Sequence, residues 1–268
     1  MILAVAWPDN FPELLVVVSM LFACYAIGLQ KGFMPAGFWL MAALFLTRLP
    51  FFFHLPQLSD DFYRFLWDGL LLTEGFNPFG GVPAETDLGI FADPAFAEKL
   101  LSGMNSADYG SVYPPLHQAV FWIGAKLSGG SLLAGVNAMR AVILLAEVGM
   151  AVYFLRFSQW KNARFVTAAY LLNPLVVVEG TGNVHMEALM VPLLAVGLHV
   201  LLSQKMLKGS LLFAGSVLVK LTPLILAPLL FFRKEGSNRW LMAATVAIAV
   251  VIAFLMTKFD RPHQNETT

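Results

Sequence analysis

"LSDDFYRFLWDG", Leu58 to Gly69, follows directly on an apolar run able to enter a membrane, and it sets Asp60, Asp61, Arg64 and Asp68 at the boundary where that run ends. Wound as a helix, the stretch places Asp61, Arg64 and Asp68 on one face and Phe62, Phe65, Leu66 and Gly69 on another. That pattern predicts an amphipathic helix lying on the membrane surface, capped by Ser59 or Asp60. Two adjacent carboxylates repel, which raises the pKa of one of them and suits a group that must accept a proton. Arg64 is near enough in sequence to orient such a base.

The surroundings of this stretch fix the class of protein. Of 268 residues, 58% are hydrophobic and 13% charged, where a soluble domain carries roughly a quarter charged residues. The predicted fold is all-α, a polytopic transmembrane helical bundle. Lys plus Arg equals Asp plus Glu at 17 each, so no basic field points to nucleic acid. A lone Cys24 excludes a disulfide framework and a thiolate metal cluster. The N-terminal MILAVAWPDNF lacks the basic region of a cleavable leader.

A span needs about 20 apolar residues, fewer where protein buries its ends. Spans are predicted at Phe11–Leu29, Ala36–Phe53, Leu132–Leu155, Phe165–Val178, Glu187–Leu202 and Trp240–Met256. The whole chain, 1–268, reads as one membrane domain, with residues 54–131 as a large acidic lobe after the second span. The basic clusters Lys31, Arg156 with Lys161 and Arg164, Lys205 with Lys208, and Arg233 with Lys234 and Arg239 are all expected on the cytoplasmic side. That arrangement requires two things. Val112–Leu127, opened by Pro114 and Pro115, must not cross the membrane. Ser210–Phe232 must break at "VKLTP", where Lys220 and Pro223 disfavour a continuous span, and return as a hairpin. An unbroken span with Lys220 buried is the alternative.

With this topology, polar residues gather on the outer side. Asp60, Asp61, Arg64, Asp68, Glu74 and Asn77 come from the lobe. Asn173, Glu179, Asn183, His185 and Glu187 come from "NPLVVVEGTGNVHMEAL", and Lys220 from the broken segment. Lys220 either pairs with Glu147, an ionisable residue within the Leu132–Leu155 run, or meets a phosphate as a point charge. His185 and Glu187 do not have the spacing of a common zinc site. The glycine-rich turn at Gly180–Gly182 is neither a phosphate loop nor a dinucleotide fingerprint. Trp67, Phe76, Phe79, Phe121 and Trp122 read as aromatics of the membrane interface.

Four blocks, "SDDFYRFLWDG" with "EGFNPF", "VYPPLHQAVF", "NPLVVVEGTGNVHMEALM" and "LVKLTPLILAPLL", occur in one order over Ser59 to Leu230. Together they resemble the bacterial polyprenol-phosphate-sugar-dependent glycosyltransferases of the GT-C fold, in particular α-mannosyltransferase-like members. The resemblance implies inverting transfer of a hexose, mannose by preference, from a polyprenyl phosphate to an acceptor hydroxyl. It places the catalytic carboxylate on Asp60 or Asp61 without choosing between them. Arg64, Asp68, Tyr113, Asn173, Asn183, His185, Glu187 and Lys220 become the expected substrate-binding residues, with the Lys220 region stabilising the departing phosphate. Members of that family usually carry His-Asn-Asp where this chain has His185-Met186-Glu187. They also continue for several more spans, which makes a truncated or non-catalytic partner subunit the alternative expectation. A lipid or solute transporter is a third, for which an inverted repeat is lacking.

The implied partners are the polyprenyl-phosphate sugar, a glycolipid or glycan acceptor, membrane lipids and a second membrane subunit, with no nucleic acid. No cofactor is expected and no metal site is indicated; a divalent ion on Asp60 or Asp61 is an alternative that would compete with their role as base. The expected location is the cell membrane, with the active site facing outward.

Overall fold

The computed structural model describes residues 11–32, 35, 37–231 and 239–257, and no strand occurs among them. Arg233, Lys234, the start of the predicted second span at Ala36, residues 1–10 and the tail 258–268 lie outside the described residues.

Eleven α-helices are described: α1 (Phe11–Gln30), α2 (Gly37–Arg48), α3 (Asp61–Thr73), α4 (Pro94–Gly103), α5 (Pro115–Ser128), α6 (Leu132–Arg156), α7 (Ala163–Leu171), α8 (Glu187–Leu202), α9 (Met206–Val219), α10 (Ala227–Phe231) and α11 (Arg239–Thr257). Short 3-10 turns at Leu49–Phe53 and Thr222–Leu226 extend α2 and precede α10, and a π-helical segment covers Val176–Gly182. Local chemistry sets several of these ends. Asp93 accepts from the Phe96 amide to cap α4, with Pro94 at its first position, and Ser131 accepts from Ala134 to cap α6.

By length and composition α1 and α6 are able to cross a membrane, and α7 with the π segment makes a third crossing if that pair, bent by 60°, is one span. The runs at Gly37–Phe53, Glu187–Leu202, Met206–Val219 and Ala243–Ile252 are apolar but shorter than a full crossing. Val112–Leu127 forms α5 behind Pro114, too short and too polar to count among the spans. The chain does break at Lys220: its backbone is extended, with φ −153° and ψ 141°, and a 3-10 turn follows at Pro223. α9 then packs on α8 and α11, while α10 packs on the turn before it and on α11.

The helix predicted to lie on the membrane is instead at the centre of the molecule. α3 packs on α4, α5 and α6, and Phe62, Arg64, Phe65, Leu66, Trp67, Asp68, Gly69, Leu70 and Leu71 are all buried. Arg64 and Asp68 on its polar face are covered by the lobe rather than by water, while Asp61 at its start stays partly exposed. Gly69 lets α5 come this close, because a Cβ there would sit 2.1 Å from the Phe121 carbonyl oxygen. Trp67 and Phe121 are fully buried, so both are core residues and not interfacial aromatics. Trp122 remains exposed. A second core joins α2, α6 and α7, and a third joins α8, α9 and α11. None of the described side chains of α1 is buried, and Tyr25 ties that helix to the Ala169 carbonyl at 2.7 Å.

Candidate functional site

The opening of α3, the turn after the π segment, the first residue of α8 and the end of α9 converge at one end of the bundle. Asp61 is the first residue of α3, its backbone amide donating to Ser59 Oγ at 3.3 Å. Asp60 is the capping residue by position, yet its side chain makes no capping bond; Oδ1 accepts instead from Asn105 Nδ2 at 2.8 Å. The two carboxylates therefore diverge. Asp60 turns to the lobe, and Asp61 turns to His185.

His185 lies between two acids. Its Nδ1 is 2.8 Å from Glu179 Oε2 and its Nε2 is 3.5 Å from Asp61 Oδ2, the latter an ion-pair contact rather than an aligned hydrogen bond. Asp61 and Glu179 hold the imidazole charged and lift its pKa from the usual 6.5 to about 9. His185 in turn draws the Asp61 carboxyl below its ordinary range. Asn183 donates to the same Glu179 oxygen at 3.2 Å, so a predicted ligand becomes a support for the acid that supports His185.

Backbone geometry makes this clamp. Between Asn183 and His185 sits Val184, fully buried, with φ at +62°. A β-branched residue in the left-handed region costs on the order of 1–3 kcal/mol and persists only where its surroundings impose it. Here the reversal brings the His185 amide onto the Glu179 carbonyl at 2.9 Å. The carbonyls of Thr181 and Gly182 are held from below by Arg140, Nε and Nη2, each at 2.8 Å. Nη1 of the same arginine reaches the carbonyls of Phe51 at 2.5 Å and His54 at 2.7 Å. One guanidinium in the middle of an apolar helix thus satisfies four carbonyls at two irregular turns.

Glu187 and Lys220 form an ion pair across the mouth of the cleft, with side chains 49% and 45% exposed. Glu147, the predicted structural partner of Lys220, pairs instead with Arg48. Nε and Nη2 of Arg48 meet the two Glu147 oxygens at 3.1 and 2.8 Å, both side chains fully buried. Sequence reasoning missed Arg48 and Arg140. Their signal was plain, since an arginine inside an apolar run needs a partner.

The remaining expected residues separate into two groups. Tyr113 stands beside the cluster, stacked edge-on against His117 and Phe65. Burial, with the negative charges of Asp61 and Asp68, pushes its phenol up to about 12, so it stays protonated and able to donate. His117, absent from the expected set, contacts the Val219 carbonyl through Nδ1 at 3.1 Å, and burial lowers its pKa to about 4. Arg64 and Asp68 are buried against the lobe. They pair at 2.8 Å, Asp68 accepts from Ser111 at 2.5 Å and Gln118 at 2.9 Å, and Arg64 donates to the carbonyls of Ser106 and Tyr109. Burial raises the Asp68 pKa against the pull of Arg64. Asn173 is also outside the cluster, its side chain accepting from the Leu175 amide at the bend before the π segment. Among the described residues no group of three or more His, Cys, Asp or Glu has metal-binding geometry.

Comparison with known proteins places this chain in a family. The family described as alpha-(1->6)-mannopyranosyltransferase, N-terminal domain, matches residues 11–233. The chain belongs to this family. Alpha-(1->6)-mannopyranosyltransferase A of Corynebacterium glutamicum is 30% identical over 192 residues, covering 69% of this chain and 36% of that protein. The protein of the same description from Mycobacterium tuberculosis is 24% identical over 230 residues, covering 83% of this chain and 43% of its own length. This chain thus spans about two-fifths of these family members. No solved structure matches it.

Proposed function

We propose that this chain forms the catalytic part of a membrane glycosyltransferase that moves mannose from a polyprenyl phosphate to an acceptor hydroxyl, with inversion at the anomeric carbon. The observation that carries the proposal is that Asp61, His185 and the Glu187–Lys220 pair, from three separated sequence blocks, meet at one cleft. The names of the family members support the sugar and the reaction type. The lobe of residues 54–131 and the cleft face outward from the cell membrane, and the basic turns after α6 and α8 face the cytoplasm.

Asp61 is assigned as the base because it faces His185 at the cleft, whereas Asp60 is held by Asn105. His185 lowers the Asp61 pKa instead of raising it as two adjacent carboxylates had implied, so Asp61 is ionised and ready to accept a proton. Its carboxylate takes the proton of the acceptor hydroxyl as that oxygen bonds to the anomeric carbon, while the bond from that carbon to the phosphate oxygen breaks. The departing polyprenyl phosphate carries the electron pair. Lys220, released from Glu187, and charged His185 offset its negative charge. Arg64 and Asp68 position Asp61 by fixing the Ser106–Ser111 loop against α3. Tyr113 donates a hydrogen bond to a sugar or phosphate oxygen.

The test is transfer of radiolabelled mannose from a polyprenyl phosphate to a membrane-lipid extract by the purified protein. Asp61→Asn is expected to lower the rate about 10²–10⁴-fold, and Asp60→Asn to lower it less. Full activity in Asp61→Asn removes the assigned base, and full activity in the double variant removes the acidic pair from the mechanism.

A further inference from the structure

A buried carbonyl decides how Lys220 is held. In a helix continued past α9, the Val219 carbonyl would accept from the amide four residues on. That residue is Pro223, which has no N–H. Val219 is fully buried, so water cannot stand in and the carbonyl needs a donor from another element.

The donor is His117 of α5, whose Nδ1 lies 3.1 Å from that oxygen. A carbonyl only accepts, so Nδ1 carries the hydrogen. Burial lowers the pKa of the ring to about 4, which keeps it neutral and leaves Nε2 a bare acceptor. Nε2 is itself buried and has no hydrogen-bond partner among the described residues. The ring is therefore committed to Val219 alone, with its second nitrogen unmatched.

Three aromatic rings fix the imidazole. Its centroid lies 4.7 Å from that of Phe121, 4.8 Å from Tyr113 and 5.8 Å from Phe65. Phe65 stands about one turn after Asp61 on α3. His117 thus joins two sides of the cleft that are far apart in sequence: the helix that presents Asp61, through Phe65, and the break that presents Lys220, through Val219. The peptide unit between Val219 and Lys220 is bonded at both of its polar atoms, since its oxygen accepts from His117 and its N–H donates to the Ser216 carbonyl at 3.1 Å. It cannot rotate without breaking one of these contacts. The lysine side chain beyond it, 45% exposed, stays free to turn from Glu187 to a substrate.

We infer that His117 is a positioning residue for Lys220: by donating to the Val219 carbonyl it fixes the peptide plane from which the lysine reaches the reacting centre. It acts through the lysine rather than on the substrate. This rests on Lys220 meeting charge at that centre, as proposed above. A bond that only stabilised the bundle would matter equally with or without the lysine. A bond that aims the lysine matters only while there is a lysine to aim.

The experiment uses the full chain in membranes, with rates taken per amount of folded protein. His117→Leu, of similar size but without a donor, should lower mannose transfer on the order of 10²-fold, the scale of a displacement of about 1 Å at a reacting group. His117→Asn, whose Nδ2 stands as many bonds from Cα as Nδ1 does, should retain most of the native rate. In a Lys220→Gln background the leucine substitution should have no further effect. Equal losses with and without Lys220, or a loss with asparagine as large as with leucine, would overturn the inference.

Two further readouts do not depend on transfer. Acylation of Lys220 by an amine-reactive ester, followed by peptide mapping, should speed up several-fold in His117→Leu and return to the native rate in His117→Asn; an unchanged rate in His117→Leu counts against the inference. In isotope-labelled native protein the His117 imidazole, assigned by its absence from His117→Asn, should be the neutral tautomer protonated at Nδ1. A charged ring at neutral pH, or the tautomer protonated at Nε2, overturns the inference even where His117→Leu fails to fold. A native chain that transfers no mannose removes the function proposed above and leaves these two readouts to decide the role of His117. Transfer abolished by Asp61→Asn but untouched by His117→Leu removes only the positioning role.

Discussion

Arg48 and Glu147 meet with both side chains at 0% exposure, whereas Lys220 and Glu187 meet with theirs at 45% and 49%. The chemistry is the same and the consequences differ. In the first pair every exposed face of the charges has been replaced by protein: Arg48 also donates to the Leu171 carbonyl at 2.6 Å and to Thr47 at 2.8 Å. Neither partner is free to leave, since an unpaired charge in that position would have no water to take its place. At the cleft, water competes for both partners, and exchange of Glu187 for a phosphate costs little. Burial, rather than pairing, separates the charges that hold this bundle from those open to exchange with water or a ligand.

The sharpest way to break this distinction is at the buried end. Arg140→Met leaves the carbonyls of Phe51, His54, Thr181 and Gly182 without their donor, and each orphaned group costs on the order of 1–3 kcal/mol. That sum is of the size of a whole domain's stability, so no monodisperse protein is expected by size-exclusion chromatography in detergent. Normal recovery would place the support of the His185 turn elsewhere. Next in size is Glu147→Ala, which strands Arg48 and is expected to cost about 3–5 kcal/mol, read as a lowered thermal transition.

At the cleft the order reverses. Lys220→Gln should change stability by less than about 1 kcal/mol, because the pair is half exposed. It should nevertheless lower transfer about 10²–10³-fold if the lysine meets charge that develops in the transition state. A variant that lost stability and kept activity would move Lys220 into the structural class.

The smallest effect is in pH. The folded pKa of His185 is raised to about 9 from 6.5, so its stabilising contribution is full below 6.5 and lost as pH rises through about 9. Asp61 is shifted the other way, and its contribution is lost as pH falls through its depressed value. The thermal transition should therefore decline between pH 7 and 10 by more in the native protein than in His185→Gln. Parallel curves would show that the clamp does not titrate there.

Much of this could be read along the chain, and the misreadings share a pattern. The break at Lys220–Pro223 was legible because proline and lysine disrupt an apolar helix wherever it packs. The four blocks from Ser59 to Leu230 supplied Asp61, His185, Glu187 and Lys220 within a larger set that also held Asp60, Arg64, Asp68, Tyr113, Asn173 and Asn183. Arg64 and Asp68 were read as the polar face of a membrane-surface helix and as substrate-binding residues because helical periodicity tells which residues share a face but not what covers it. The lobe residues Ser106, Tyr109 and Ser111 cover it, more than 40 positions away. Along the sequence Glu147 is only one of two alternative partners for Lys220. Its partner, Arg48, lies 99 residues away.

The sequence by itself determined the all-α apolar bundle, the places where its helices stop, and the polar residues gathered toward one end. Hydrophobicity, proline and capping act within a turn or two of chain, so they survive without knowledge of the fold. The tertiary structure alone decided which charge meets which, turned Asp60 from Asp61, placed Arg140 under the His185 turn and brought His117 to the Val219 carbonyl. Electrostatic and hydrogen-bond partners depend on distances between segments far apart in sequence, and only the packed helices set those distances.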